Sequence, residues 1–468
     1  MWALFLTSEK NHRKKRKLSE TQGKNKTKID FSSNSFKKYL VNTSWLFFER
    51  ILRITISFVV TIFVVRYLGP KDFGLYSYAL SFFWLFASFS SLGLESISTR
   101  EIVKFPDQKD EINGTVFFLR LIGSFVAILL LALTLFIMGE ETDTAILILI
   151  GSGSFIFHSF SIIEYYFRGK VEAKYNAFAL SGSVILSSVL KVIFILIKAP
   201  LIYFVIAVVF EYAALSVLLI LVYHQNKLSV FDWKYSKKFA SSLLKDSWPL
   251  ALSGIVVMIY MRIDQVMIKN MMNVEAVGYY SAAVRICEAW YFIPVTLCNS
   301  IFPAIVNAKN VSEEFYNNRM QKLYDLLTWL AIGIAIPVTI FSDQIIQLLF
   351  GNEFSSASPV LTIYIWAGVA VFLGVASSQY LINENLTKLT FFRTLIGMIL
   401  NVVLNFILIP KYGITGSAIA TLISYTLVTF ALAFNTNFKL QFRMMMRSVF
   451  GISLFGYIIG EKNAQKLK

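Results

Sequence analysis

The chain is 468 residues long, with 56% hydrophobic and 15% charged residues, 43 Phe and a formal net charge of +16. Soluble domains carry about 25% charged residues, so this composition, with a mean hydropathy of +0.63, excludes a water-soluble domain as the body of the protein. The chain belongs in a bilayer.

Residues 1–44 hold eleven Lys or Arg among Ser, Asn and Thr, including the run Arg13-Lys14-Lys15-Arg16-Lys17. They read as a disordered basic tail that anchors topology against anionic headgroups. Met1 to Leu6 is too short for a signal-peptide core, and its charges follow it rather than precede it, so no cleaved signal is expected.

Twelve stretches of about 20 mostly apolar residues, long enough to cross a bilayer as helices, follow in the order 45–66, 73–94, 115–138, 144–163, 175–197, 201–223, 247–269, 277–303, 322–341, 359–382, 389–409 and 415–434. The longest connection, 224–246, is only a linker. The expected fold is therefore an all-α polytopic membrane protein of about 12 transmembrane helices. Its divisions are an N-lobe at 45–223, the linker at 224–246, a C-lobe at 247–434 and a cytoplasmic or interfacial tail at 435–468.

The basic residues alternate from loop to loop. Arg100, Lys104 and Lys109 follow the second span; Arg168, Lys170 and Lys174 follow the fourth; Lys227, Lys234, Lys237, Lys238 and Lys245 follow the sixth. Glu140, Glu141 and Asp143, and in another loop Asp343 and Glu353, have no basic neighbour. By the positive-inside rule both termini and the loops after even-numbered spans are cytoplasmic, in the cell membrane. That distribution argues against nucleic acid as a partner and for membrane lipids.

Cys287 and Cys298 lie eleven residues apart along one span, about three turns, so neither a disulfide nor a metal site is expected. His12, His158 and His224 form no cluster. The sequons at Asn25, Asn42, Asn113, Asn310 and Asn385 fall on the expected cytoplasmic side. No cofactor is implied, and no Gly-x4-Gly-Lys-Ser/Thr loop offers direct ATP drive.

Two stretches nearly repeat each other. Ser44-Trp45 leads a span into Gly74-Leu75-Tyr76-Ser77-Tyr78-Ala79, and Ser247-Trp248 leads another into Gly278-Tyr279-Tyr280-Ser281-Ala282-Ala283. Six spans per half is an even number, so the two lobes are pseudo-symmetric about an axis along the membrane normal and enclose a central cavity suited to alternating access.

The segment Arg66-Tyr67-Leu68-Gly69-Pro70-Lys71-Asp72-Phe73-Gly74-Leu75-Tyr76 resembles the first-loop signature of polysaccharide and oligosaccharide flippases of the multidrug/oligosaccharidyl-lipid/polysaccharide exporter superfamily. Ser91 to Leu94 with Arg100-Glu101, Arg262 to Ile268 with Ala276 to Arg285, and Asn401 to Asn405 with Leu408 to Gly413 and Gly416 to Thr421 are similar in the same order, over about residues 40–435. Many members have fourteen spans, whereas Val449 to Gly460 is below spanning length. The resemblance implies a flippase that carries a polyprenyl-diphosphate-linked oligosaccharide from the cytoplasmic to the outer leaflet. A coupling ion, H+ or Na+, and glycan-assembly proteins are its expected partners.

Ionisable residues at membrane depth are functional candidates. Arg50 and Arg53 share a face of the first span, with Glu49 in reach of Arg53 at i,i+4. Arg262 and Asp264 lie in the seventh span, and Arg285 and Glu288 in the eighth, where a hairpin about Asn273 would bring Asp264 towards Arg285. Arginine suits phosphate because its planar fork binds two oxygens and stays charged when buried. Arg50, Arg53, Arg262 and Arg285 are thus assigned to the diphosphate, and Glu49, Asp264 and Glu288 to charge balance and coupling; the alternatives are snorkelling of Arg50 and Arg53 to cytoplasmic headgroups and a purely structural ion-pair network of Arg262, Asp264, Arg285 and Glu288. Lys191 and Glu211 read as a structural pair, and Arg120 and Arg393 as residues snorkelling to headgroups. Trp45, Trp248 and Tyr412 read as interface anchors, and Met258, Met261, Met267, Met271 and Met272 as packing. No catalytic nucleophile or His cluster points to an enzyme. The alternatives are a cation-coupled drug antiporter of the same superfamily, which calls for an anionic cavity, and a membrane glycan polymerase or ligase, which calls for a large outer loop.

Overall fold

The computed structural model describes residues 34–384, 386–431 and 439–452. Residues 1–33 with His12 and Asn25, Asn385, the end of the last span at 432–434 and the apolar segment from 453 to Gly460 lie outside the described residues. The chain divides into a unit Met1–Ser44, whose described residues are helical where composition suggests disorder, and a unit Trp45–Lys468 that contains all that follows.

In chain order the helices are α1 (Asn34–Ser91), α2 (Leu94–Lys104), α3 (Lys109–Met138), α4 (Thr142–Ser152), α5 (Ser154–His158), α6 (Ile162–Gly169), α7 (Ala173–Leu196), α8 (Leu201–Gln225), α9 (Lys237–Met271), α10 (Val274–Glu288), α11 (Phe292–Lys309), α12 (Glu313–Ile340), α13 (Ser342–Phe350), α14 (Ser358–Asn383), α15 (Thr387–Phe430) and α16 (Lys439–Val449). Among the described residues, ten apolar helical segments are long enough to cross a membrane, and two of them, Phe47–Lys104 and Lys388–Phe430, are long enough to cross twice. Each contains a non-helical glycine, Gly69 (φ 67°, ψ 177°) or Gly413 (φ 60°, ψ −140°). Gly69 tolerates this positive φ because it has no Cβ, and Pro70 after it disfavours helix at the preceding residue. The described residues therefore provide for about twelve crossings.

Two expected spans are broken. The fourth runs as α4, α5 and α6 with a 3-10 turn at Ser159–Ser161, and the eighth is split between α10 and α11 by residues 289–291. Apolar periodicity carries no mark of such breaks, because both sides continue the same lipid-compatible composition. The expected linker is also partly helical: α9 begins at Lys237, and its Ala240 and Leu243 are buried in a cluster with Leu94, Ile112, Phe167 and Tyr223 of the first half.

In lipid, helices are held by close packing and interhelical hydrogen bonds more than by apolar burial. Ser90 and Ser124 share a hydrogen bond of 2.7 Å, and Ser216 donates to the Phe157 carbonyl at 2.7 Å. Separate clusters fill each half, one around Ile163 and Tyr223, another around Leu323 and Leu373. A further cluster joins the halves at one end, where Val65, Phe73 and Phe204 meet Val277, Phe350 and Phe354.

Candidate functional site

Below that shared cluster the halves part around a cavity of about 550 Å³. One wall is the first crossing, whose Arg50, Arg53, Ser57, Thr61 and Val64 recur every three or four residues and so share a face. The facing wall is Arg285 and Glu288 in the last turn of α10, followed by Phe292 and Val295 of α11. Arg285 is favoured there by the negative end of the α10 dipole. Lys191 of α7 and Glu211 of α8 complete the lining, with Trp84 of the second crossing. Trp84, Arg285 and Glu288 also border a small polar recess with Arg262, Gln265 and Ser81.

Charge is mostly paired within this space. Glu49 accepts from Arg53 at 2.7 Å, Glu211 from Lys191 at 3.3 Å and Glu288 from Arg262 at 3.1 Å. Arg50 and Arg285 have no carboxylate within 4 Å among the described residues. Five cations (Arg50, Arg53, Lys191, Arg262, Arg285) against three carboxylates (Glu49, Glu211, Glu288) leave an excess of two positive charges. The two unpaired arginines stand at opposite ends. Arg50 is exposed near the start of the first crossing, while Arg285, seven residues from the Gly278 that meets Pro70, stands near Val64, six residues from Pro70 and about 20 Å along the crossing from Arg50 at 1.5 Å per residue.

The deep end is sealed by the repeated motif itself. A Cβ on Gly74 would lie 1.9 Å from the Val274 carbonyl oxygen, and one on Gly278 2.0 Å from that of Pro70. Only glycine permits this approach. Around it Lys269 pairs with Glu140, Tyr78 donates to Glu140 at 2.8 Å, and Arg66 donates to the carbonyls of Leu348 and Leu349.

A family model described as polysaccharide biosynthesis protein matches residues 39–309, more than half of the chain, and one described as MatE matches residues 249–407. The chain belongs to the polysaccharide biosynthesis protein family. Among this family member's relatives is the probable low-salt glycan biosynthesis flippase Agl15 of Haloferax volcanii, 29% identical over 211 residues, which are 44% of this chain and 43% of that one. The putative O-antigen transporter of Shigella flexneri is 24% identical over 81% of this chain and 93% of its own. Two solved structures share the fold. An inward-facing multidrug resistance MATE family transporter gives a TM-score of 0.68 at 14% identity, covering 86% of this chain and 96% of that one; the lipid II flippase MurJ gives 0.66 at 19%, covering 89% and 93%.

Of the residues nominated from sequence in this polysaccharide biosynthesis family chain, Arg50, Arg53, Arg285 and Glu288 line the cavity and Arg262 borders the recess. Asp264 does not approach Arg285. Two positions along a helix turn through about 200°, so with Arg262 towards the recess Asp264 points into the second lobe. There it accepts from Tyr280 at 2.7 Å, Asn405 at 2.8 Å and Thr421 at 2.8 Å, and it is 3% exposed. Glu288 likewise serves Arg262, not its helical neighbour Arg285. Sequence reasoning assigned Asn401, Asn405 and Thr421 no role; the signal was two polar pairs at i,i+4, Asn401 with Asn405 and Ser417 with Thr421, inside apolar helices.

Arg120 and Arg393 do not snorkel. Arg120 is fully buried and donates to Ser161, Tyr165 and, at 3.0 Å, His158; Arg393 donates to Ser377 at 2.8 Å and Ser378 at 2.6 Å. Partners within the lobes bond the terminal nitrogens of both, while each Nε is buried without a partner among the described residues, so neither reaches headgroups. Trp45, Trp248 and Tyr412 are exposed, Met267 and Met271 pack on the shared cluster, and Met272 is exposed beside Gly413. Cys287 and Cys298 are free and buried.

Proposed function

We propose that the chain flips a polyprenyl-diphosphate-linked oligosaccharide from the cytoplasmic to the outer leaflet of the cell membrane by alternating access. The observation that carries this is the cavity's excess of two positive charges, held by arginines at its mouth and its deep end. A diphosphate bridging lipid and sugar is doubly anionic, and each unpaired guanidinium offers it charge-assisted, two-pronged hydrogen bonds. Arg50 and Arg53 receive the diphosphate and Arg285 holds it once it has moved inward. Ser57, Thr61, Trp84 and the recess hydroxyls meet the glycan, whose transfer through hydrocarbon would otherwise be prohibitive. The lipid tail stays in the bilayer. With both termini cytoplasmic, the cavity opens to the cytoplasm and the Gly74–Gly278 seam closes it from outside.

Asp264 is the coupling residue. A buried carboxylate beside Asn401, Asn405 and Thr421, with the Asn405 Oδ1 buried and lacking a donor, suits a small cation, Na+ or H+. Glycan-assembly proteins in the same membrane supply the lipid-linked unit and consume it. A cationic drug would meet net positive charge, which favours the flippase over the antiporter, and the relatives' names are those of transporters and flippases rather than enzymes.

The test is reconstitution into vesicles with a fluorescent polyprenyl-diphosphate oligosaccharide and an impermeant quencher. Chain-dependent protection of label is the expected result. Equal scrambling by empty vesicles, or transport of a cationic dye instead, would rule the reading out.

A further inference from the structure

On the outside of the second lobe, away from the cavity, α11 and α12 part around a second hollow of about 560 Å³. Its walls are Ile301 and Ile305 of α11 and Phe315, Leu323 and Leu326 of α12, and its polar edge is Asn318, Arg319 and Lys322. Ile301 and Ile305 lie roughly 100° around α11 from Val295, which faces the cavity, at 100° per residue. The groove therefore opens on a different side of the helix from the translocation route.

A neighbouring element sets its depth. Helix α16 docks on the adjoining face of α12, where Gln321 donates to Ser448 at 2.8 Å and to the Met444 carbonyl at 3.1 Å, and Tyr324 donates to Gln441 at 2.7 Å. Its opposite face exposes Lys439, Arg443 and Arg447 at i,i+4 spacing beside exposed Leu440 and Phe450. A helix combining such cations with exposed apolar residues rests where headgroups meet hydrocarbon. The α12 turns it touches are the ones that carry Arg319 and Lys322, so those two cations also sit at headgroup depth. Both are exposed, and Arg319 lies over the Phe315 ring at 4.7 Å with no ion pair among the described residues.

We propose that this groove binds an anionic glycerophospholipid of the leaflet facing α16, with its phosphate on Arg319 and Lys322 and an acyl chain against Ile301, Phe315 and Leu326. Charge complementarity selects the occupant: a zwitterionic lipid brings its own cation, whereas an anionic headgroup gains from both side chains. The site stands apart from the cavity, and its test contains no glycan, so failure of transport leaves it untouched.

The full chain, purified in mild detergent, is titrated with phosphatidylglycerol and with phosphatidylcholine, and bound lipid is counted by native mass spectrometry. Phosphatidylglycerol is retained in preference, and Arg319→Gln with Lys322→Gln weakens it by about fivefold for each cation removed. Leu326→Trp, which narrows the groove from an exposed position and keeps both cations, lowers retention as well and covers the case in which the charge variant folds poorly. Equal retention of the two lipids, unchanged retention in both variants, loss only in Arg443→Gln with Arg447→Gln, or displacement of phosphatidylglycerol by undecaprenyl phosphate would each overturn the assignment.

Discussion

Glu288 accepts from Arg262 at 3.1 Å and so leaves Arg285, one helical turn away on the same face, without an acidic partner. The pairing turns an expected network of four charges into one neutral pair and one free cation at the deep end of the cavity. Arg285→Gln removes the free cation and is expected to weaken binding of the lipid-linked diphosphate about tenfold to a hundredfold, the range of a hydrogen bond to a charged group. Arg262→Gln, which breaks a paired charge, leaves Glu288 uncompensated beside the substrate and lowers binding further. A fluorescent substrate analogue titrated against both variants and the parent measures this; equal affinity in Arg285→Gln removes Arg285 from the route.

The mouth of the cavity makes a second prediction. Arg50→Gln with Arg53→Gln also frees Glu49, so the first substrate contact changes from cationic to anionic. Flipping in vesicles is expected to stop while membrane insertion persists; thermal unfolding in detergent stays close to the parent in Arg50→Gln alone, because Arg50 is exposed, and falls in the double variant, because the buried Glu49 loses its partner. Normal flipping by this double variant would falsify the assignment of the mouth.

The contact between Gly74 and Gly278 predicts a conformational effect. An alanine Cβ at Gly278 falls 2.0 Å from the Pro70 carbonyl oxygen, a backbone atom that cannot swing aside. Gly278→Ala should therefore part the lobes at the sealed end. Overpacking costs of about 1–3 kcal/mol correspond to roughly a fivefold to hundredfold shift in population. Ser77→Cys, in a chain whose Cys287 and Cys298 are replaced by Ser, reports it: labelling by an impermeant maleimide from outside rises with Gly278→Ala and stays low without it. Unchanged labelling would mean that the glycine contact does not govern closure.

These residues show how far sequence alone reaches. The duplicated Gly-x-Tyr motif, the twelve crossings and four cavity-lining charges follow from apolar runs and from charges placed where lipid penalises them. Pairing does not follow. Arg262, Asp264, Arg285 and Glu288 have nearly the same environment in sequence, and only helix phase and the break at 289–291 decide that Arg262 meets Glu288 while Asp264 turns into the lobe. Arg120 and Arg393 fail for the same reason. Their distance from a span end suggests snorkelling, yet Ser161, Tyr165 and Ser377 supply acceptors from neighbouring helical segments.

Arg120 gives the next prediction. Its guanidinium is fully buried and shared by Ser161, Tyr165 and His158 across the broken fourth span. Arg120→Met deletes the shared donors and leaves those acceptors unsatisfied, at about 1–3 kcal/mol each before relaxation. A clear fall in thermal stability in detergent is expected with no selective change in substrate affinity. A snorkelling arginine would give the opposite pattern, and unaltered stability would restore that reading.

The Asp264 cluster ties the second lobe to the driving force. Tyr280, Asn405 and Thr421 all donate to one carboxylate, and among the described residues it has no salt bridge, so any bound cation gains from a negative charge that no described side-chain cation neutralises. A ligand that binds only the folded state raises stability with the logarithm of its concentration, by about 2.7 kcal/mol at a hundredfold excess over Kd. Sodium added to the parent in potassium buffer is thus expected to raise the unfolding temperature, and Asp264→Asn to abolish the rise while Arg285→Gln retains it. A rise that persists in Asp264→Asn moves the cation elsewhere. If sodium has no effect in the parent but flipping follows an imposed pH gradient and loses that dependence in Asp264→Asn, the carboxylate carries a proton instead; if flipping by the variant follows either gradient as the parent does, Asp264 is a structural acceptor and coupling lies outside this cluster.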